Sequence, residues 1–182
     1  MIKDEALQIM KEHLKKDYMI KHSLAVAAIM KGVADCIKDD VELYETIGIL
    51  HDIDFEKISK PEEHTIITEM LLKEKASDEL IRNIKSHNFE HTKINPEKNV
   101  EHALIAADAI SGLIVACALV MPSKKLSDVK LESLKEKFRS KEFARNCSRE
   151  KILYCEKISI DRDKFFEISL NAMKGIADEL GL

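Results

Sequence analysis

Four histidines and two aspartates stand where a helical chain would ordinarily carry aliphatic side chains. His22 shares a helical face with Val26, Ile29 and Val33; His51 follows Tyr44 and Ile47; His64 precedes Ile67 and Leu71; His87 follows Leu80 and Ile84. Residues three, four or seven apart lie on one side of a helix, so each stripe should face the core and carry its imidazole there. Asp108 lies in ALIAADAISGLIVACALV, the least polar stretch of the chain, and Asp52 directly follows His51. One inward histidine is ordinarily a hydrogen-bonded core residue. Four of them each demand a buried partner, which is a much stronger condition. A buried carboxylate likewise shifts its pKa or needs compensation. For Asp108 the choices are a Lys or Arg from elsewhere, a hydrogen bond to Ser111, or a metal ion. Imidazole with carboxylate is a ligand set for Fe, Mn, Zn, Co or Ni, and no thiolate is required. Six such groups supply two metals if Asp52 bridges them.

Helices must position these groups. Periodicity predicts helices over about 3–15, from Asp17 to about Ile37, over 41–52, from Pro61 to about Lys75, and from Ser77 to His87–Asn88. A central apolar helix follows over about 98–121, stopped by Pro122. Ser127 and Ser148 are placed to cap helices near 128–138 and 149–157, and Asp161 begins a last helix ending at Gly181. The expectation is one all-α domain of eight to ten helices over residues 1–182, with no internal repeat, low-complexity tract or linker.

Composition narrows the function. A chain of 182 residues suits one domain, and 45% apolar with 34% charged residues excludes wholesale disorder. Five Gly and three Pro are too few for a turn-rich β-sandwich. Net charge −4, no Trp and only 5% aromatic residues argue against nucleic-acid binding. The opening MIKDEALQIMKEHLKK has no apolar core of signal-peptide type. Cys36, Cys117, Cys147 and Cys155 form no CxxC pair, which points to free thiols in a reducing cytoplasm. Ala103 to Met121 has the length of a membrane span, but a mid-bilayer Asp costs about 2.5–3.5 kcal/mol. A buried helix of a protein outside the membrane is the better reading. Cys117 and Met121 read as core filling, His13 and His102 as exposed, and Cys155 as no nucleophile.

The ordered residues His22, His51–Asp52 and Asp108 resemble the H…HD…D pattern of the HD-domain superfamily of metal-dependent phosphohydrolases. ILHDIDFE is similar to its HDIG-type signature, with Asp54 where Gly often stands. His64 and His87 match the positions used by dinuclear members. The resemblance covers about residues 18–115, with C-terminal helices over about 127–182. ADAISGLIVACALVMPSKKLSDV and the closing IADELGL resemble small stand-alone members of the superfamily. The resemblance implies a multi-helix bundle with a C-terminal helical extension and one or two divalent transition metals. It implies one metal held by His22, His51, Asp52 and Asp108, and a second held by His64 and His87 with Asp52 bridging. Some dinuclear members carry a histidine pair where this chain has His87–Asn88. Many carry a Lys three residues after the Asp, where this chain has Phe55.

The implied activity is metal-assisted hydrolysis of a phosphate ester in a small phosphorylated molecule, a nucleotide being one candidate. Asp52, Asp54 and His91 are the expected catalytic residues. Asp54, His91 and Glu56 flank the ligands and are candidates to protonate the leaving oxygen. Lys124 follows Asp108 by 16 residues, roughly 24 Å along a straight helix. Arg145 or a neighbour returning from the C-terminal helices is the better candidate for contacting phosphate. Three alternatives differ in class: a metal-containing binding or regulatory module without turnover, an iron oxygenase, and a structural helical protein. The first is separated by an open or closed metal shell, the second by dependence on O₂. Partner expectations are a small phosphorylated substrate, no nucleic acid and no membrane, with a homo-oligomer left open.

Overall fold

In the computed structural model, which describes residues 1–182, the chain forms helices and turns and no strand. The helices are α1 (Lys3–His13), α2 (Asp17–Ile37), α3 (Val41–Leu50), α4 (Ile66–Leu72), α5 (Asp78–Lys85), α6 (Phe89–Thr92), α7 (Asn99–Leu119), α8 (Leu131–Arg139), α9 (Arg149–Ile152), α10 (Arg162–Gly175) and α11 (Ala177–Leu180). This is an all-α bundle, as the sequence predicts. Helix α2 packs against α3, α7 and α10, while α7 also packs against α8 and α9. A single cluster of 43 buried apolar residues runs between them. Helix α7 is long and apolar enough to cross a membrane by length and composition, but 61% of its most apolar window is buried inside the protein.

Local chemistry accounts for most boundaries. Asp40, Ser77, Ser148 and Asp161 each accept a backbone N–H from the first turn of the helix they precede. Asp17 is the first helical residue, and Lys16 precedes it without a side-chain cap. Glu56 takes over that end: its Oε1 accepts the N–H groups of Lys15 and Lys16, both at 2.8 Å. Ser127 lies in a 3₁₀ turn, and α8 starts only after Lys130. At α7, Glu101 is fully buried and accepts the N–H groups of Glu97 and Lys98 at 2.7 and 2.9 Å. Its other oxygen pairs with Arg82 of α5, which ties α7, the helix that carries Asp108, to the helix that leads into the 3₁₀ turn (Ser86–Asn88) bearing His87.

Further expectations need correction. The helix from Pro61 to Lys75 is broken. A 3₁₀ turn (Pro61–Glu63) gives way to extended backbone at His64 and to left-handed backbone at Thr65, φ 68°. The last helix breaks at Ile176, so α10 and α11 are separate. His102 is buried against the Tyr154 ring, 5.7 Å between centroids, because α7 is enclosed even at its charged first turn. Burial lowers its pKa, and Lys157 adds to that effect. His13 is half-buried. The thiol readings hold: Cys117 is buried, and burial pushes the Cys155 thiol up to about 12.

Gly48 sets how closely α2 and α3 approach. A Cβ at this position would lie 2.6 Å from Ala27 Cα and 2.8 Å from Ala27 N. No side chain fits there, so the helices that carry His22 and lead into His51 are drawn together through bare backbone.

Candidate metal centre

Each of the four histidines uses Nδ1 as an anchor and turns Nε2 toward a common centre. His51 Nδ1 meets Gly48 O at 2.8 Å, and His87 Nδ1 meets Ile84 O. A carbonyl oxygen can only accept, so both rings carry a proton on Nδ1, and Nε2 is the atom left to donate to Asp52 when protonated or to coordinate a metal when the ring is neutral. His64 Nδ1 lies 2.8 Å from Asp54 Oδ1, another acceptor, and fixes the same tautomer. His22 Nδ1 sits 3.3 Å from Ser111 Oγ, whose own hydroxyl donates to Asp108 O.

The Nε2 atoms meet across helices. His51 and His22 are 3.2 Å apart, and His64 and His87 are 2.8 Å apart. Asp52 lies between the pairs. Its Oδ2 is 3.5 Å from His22 and 3.4 Å from His51, while its Oδ1 is 3.3 Å from His64 and 3.6 Å from His87. Asp108 Oδ1 is 3.2 Å from His22 and 4.0 Å from His51. Two ligand groups result, His22–His51–Asp108 and Asp52–His64–His87, each with its donor atoms within 4.8 Å of one another. No Lys or Arg pairs with Asp52 or Asp108. The ammonium or guanidinium partner that would make Asp108 a structural ion pair is therefore missing. Imidazole nitrogens facing each other beside two carboxylates fit divalent cations.

The electrostatics agree. Burial alone would raise the Asp52 carboxyl, but the charge of His51 and hydrogen bonds from His22, His51 and His87 hold it well below the usual range. Asp108 is lowered in the same way: burial opposes, while the His22 hydrogen bond and the His51 charge prevail. Burial would lower His22, yet bonding to Asp108 and Asp52 raises its pKa to about 10. His87 goes the other way, because burial outweighs its contact with Asp52. Carboxylates are thus ionised at neutral pH, and the metal-free cluster retains a proton at His22.

The centre opens into a cavity of about 660 Å³. His22, Asp52, His64, His87, Asn88 and Asp108 form its polar floor, Tyr18, Phe55 and Ile58 part of its walls, and Lys60 and Lys151 its ammonium groups. Asn88, which stands at the histidine-pair position, donates to His64 O at 2.9 Å and so holds the segment that carries His64.

Two expected catalytic residues do not reach this cavity. Asp54 is fully buried, and its oxygens accept from His64 Nδ1 and, at 2.6 and 3.1 Å, from the N–H groups of Thr65 and Thr68. Burial would raise its carboxyl, but those bonds lower it, so a role as proton donor to a leaving group does not fit. Asp54 orients His64. His91 points outward to Glu62, 3.9 Å away, because Asn88 (φ −99°, ψ 37°) breaks the helical register after His87. Glu56 caps the start of α2, as described above. Arg145 is exposed and away from the cavity; Lys151, six residues later, lines it. Gly48, Ser111 and Lys151 are the contributors that helical stripes do not reveal, since each acts through a tertiary contact.

The family model of the HD domain matches residues 19–113. That is more than half of the chain and spans both ligand groups. The chain belongs to the HD-domain family, whose members are generally metal-dependent hydrolases. Searches of curated proteins and of solved structures returned no match.

Proposed function

We propose that this protein is a cytoplasmic, dinuclear metal-dependent phosphohydrolase that cleaves a phosphate ester of a small molecule. The observation that carries the reading is the position of Asp52, with Oδ2 toward one histidine pair and Oδ1 toward the other. A carboxylate so placed would offer one oxygen to each of two cations. Divalent ions bound there supply Lewis acidity toward a phosphoryl oxygen and a nucleophilic water at neutral pH. The anchored Nδ1 atoms of His51, His64 and His87 keep their Nε2 lone pairs inward, and Asp52 and Asp108 offset part of the cationic charge. The first cluster has His22, His51 and Asp108 besides the shared Asp52, the second only His64 and His87, and the floor opens to a cavity of small-ligand size. An open position of this kind favours an enzyme over a closed binding module.

The test is reconstitution with Fe, Mn, Zn, Co or Ni, elemental analysis, and phosphate release from a panel of phosphorylated small molecules. Two bound ions and phosphate release with and without O₂ are expected. Failure to retain any metal refutes the reading, and product formation only with O₂ assigns an oxygenase instead.

A further inference from the structure

Helix α9 belongs to the C-terminal extension, outside the family-matched residues, yet it delivers a charged side chain to the cavity. Lys151 and Lys60 are the two ammonium groups that line it. They differ in how they are held. Lys60 is exposed on the segment before the 3₁₀ turn. Lys151 is only 28% exposed, reaches Glu90 of α6 at 2.9 Å, and lies 5.6 Å from the Phe89 ring centroid.

The position of Lys151 is enforced by its neighbours. Ser148 Oγ accepts its backbone N–H at 3.2 Å. The Arg149 guanidinium, two residues earlier, donates to the carbonyls of Lys137, Phe138, Ser140, Phe143, Ala144 and Cys147. That fastens the loop between α8 and α9 around one side chain. Helix α9 in turn packs on α7, which carries Asp108. The fold thus presents a lysine, on a rigid mount, at the mouth of a site whose floor holds carboxylates and imidazoles.

We propose that Lys151 is the residue that recognises the phosphoryl group entering this cavity, and that Glu90 is its resting partner, displaced when the anion binds. The assignment rests on the phosphohydrolase reading above. A partly exposed Lys–Glu pair contributes little, so exchange of Glu90 for a phosphoryl oxygen is easy. A phosphoryl group bears more charge and more acceptor oxygens than a carboxylate, and charge-assisted bonds to it are stronger. Glu90 keeps the ammonium positioned, and away from Asp52 and Asp108, until substrate arrives.

The competing explanation is that Lys151 and Glu90 merely clasp α6 to α9. The two ideas predict different signs. Inorganic phosphate is titrated calorimetrically into the Mn²⁺-loaded full chain, with metal content and melting temperature measured on each variant. Lys151→Met should weaken phosphate binding about tenfold, and Lys151→Arg should keep it within about threefold, at unchanged metal content. Glu90→Gln removes the competitor and should tighten binding about two- to threefold. A clasp makes Lys151→Met and Glu90→Gln weaken binding alike, and that result overturns the assignment. So does unchanged phosphate affinity in metal-replete Lys151→Met. If Lys151→Met does not fold, Glu90→Gln decides alone, weaker or unchanged binding refuting the proposal. A parent that takes up no metal overturns the phosphohydrolase reading first and this inference with it.

Discussion

Asp54→Asn tests how the second ligand group is built. Three donors converge on the buried Asp54 carboxylate: His64 Nδ1 on Oδ1, and the Thr65 and Thr68 N–H groups on Oδ2. Asparagine offers one oxygen and one NH₂. With its oxygen toward His64, the NH₂ confronts two buried backbone donors, and each unsatisfied donor costs about 1–3 kcal/mol. With its oxygen toward the backbone, the NH₂ faces His64 Nδ1 instead. The ring then accepts at Nδ1 and carries its proton on Nε2, the atom that points at Asp52 and His87. The second arrangement is cheaper for the fold and removes His64 as a ligand.

The expected outcome is therefore a folded protein, destabilised by about 1–3 kcal/mol through loss of charge-assisted bonds. It should lose about 10–100-fold in affinity for one metal, the usual effect of removing the partner that orients a ligand. The metal at His22, His51 and Asp108 should stay. Metal stoichiometry at fixed free Mn²⁺ gives the affinity, and ¹⁵N NMR of the imidazoles gives the His64 tautomer. A double-mutant cycle with His64→Ala isolates the route: once His64 is gone, Asp54→Asn should have no further effect on metal binding. A folded Asp54→Asn protein that binds both metals as the parent does would refute the reasoning.

Other outcomes follow from the same geometry. His64→Ala or His87→Ala should remove one metal per chain and leave the other, whereas His51→Ala should disturb both, as elemental analysis of the variants will read. Asp108→Ala should abolish hydrolysis and lower metal affinity, and should lower the metal-free melting temperature only by the His22–Asp108 contact it removes, because no Lys or Arg loses a partner; a metal-free loss as large as about 3–5 kcal/mol would restore the buried ion-pair explanation. Gly48→Ala should cost at least about 1–3 kcal/mol, as overpacking does, and should also weaken metal binding by separating His22 from His51. In the metal-free protein the raised pKa of His22 contributes stability that is full below about 6.5 and lost as pH rises toward about 10. Metal affinity should rise over the same range, and His22→Ala should release about one proton fewer on metal uptake at pH 7, measured by calorimetry in buffers of different ionisation enthalpy.

The ligands could be read from the sequence because they violate its pattern. An imidazole among Val26, Ile29 and Val33, or a carboxylate in the middle of α7, has no place in an apolar stripe unless something polar awaits it. The division of labour among neighbouring acids could not be read in this way. Asp52 and Asp54 stand two residues apart in one turn, and Glu56 two further on. Only the break at Thr65 decides that Asp54 faces the backbone and His64, while Asp52 faces the centre. Helical periodicity predicted no such break, since Pro61 to Lys75 keeps its apolar spacing through it. A β-branched residue in left-handed backbone costs of order 1–3 kcal/mol, a tertiary expense that local propensity does not foresee. Lys151 escaped notice for a related reason: its path to the cavity runs through Arg149 and six loop carbonyls, none of them near in pattern to the ligands.

That strain and the ligand cluster belong to one design. Bringing His64 Nε2 within 2.8 Å of His87 Nε2, and His51 Nε2 within 3.2 Å of His22 Nε2, sets acceptor against acceptor unless a proton or a cation intervenes. Without metal, the proton held at His22 relieves the first pair, and in the second a ring that favours its proton faces one that disfavours it. The second pair has His87, whose pKa is lowered by burial, opposite His64, whose pKa is raised because bonding to Asp54 outweighs burial. A fold can hold this arrangement because the aliphatic cluster behind α2, α3 and α7 is large and the Asp54 and Glu101 networks fix segments that carry the ligands. Such a site is stabilised by whatever cation fills it, by mass action and without rearrangement of the helices. Stability gained on metal loading should therefore come from relief of the two Nε2 contacts. It should appear as two separable increments in melting temperature as the ions are added, and as one increment in His64→Ala.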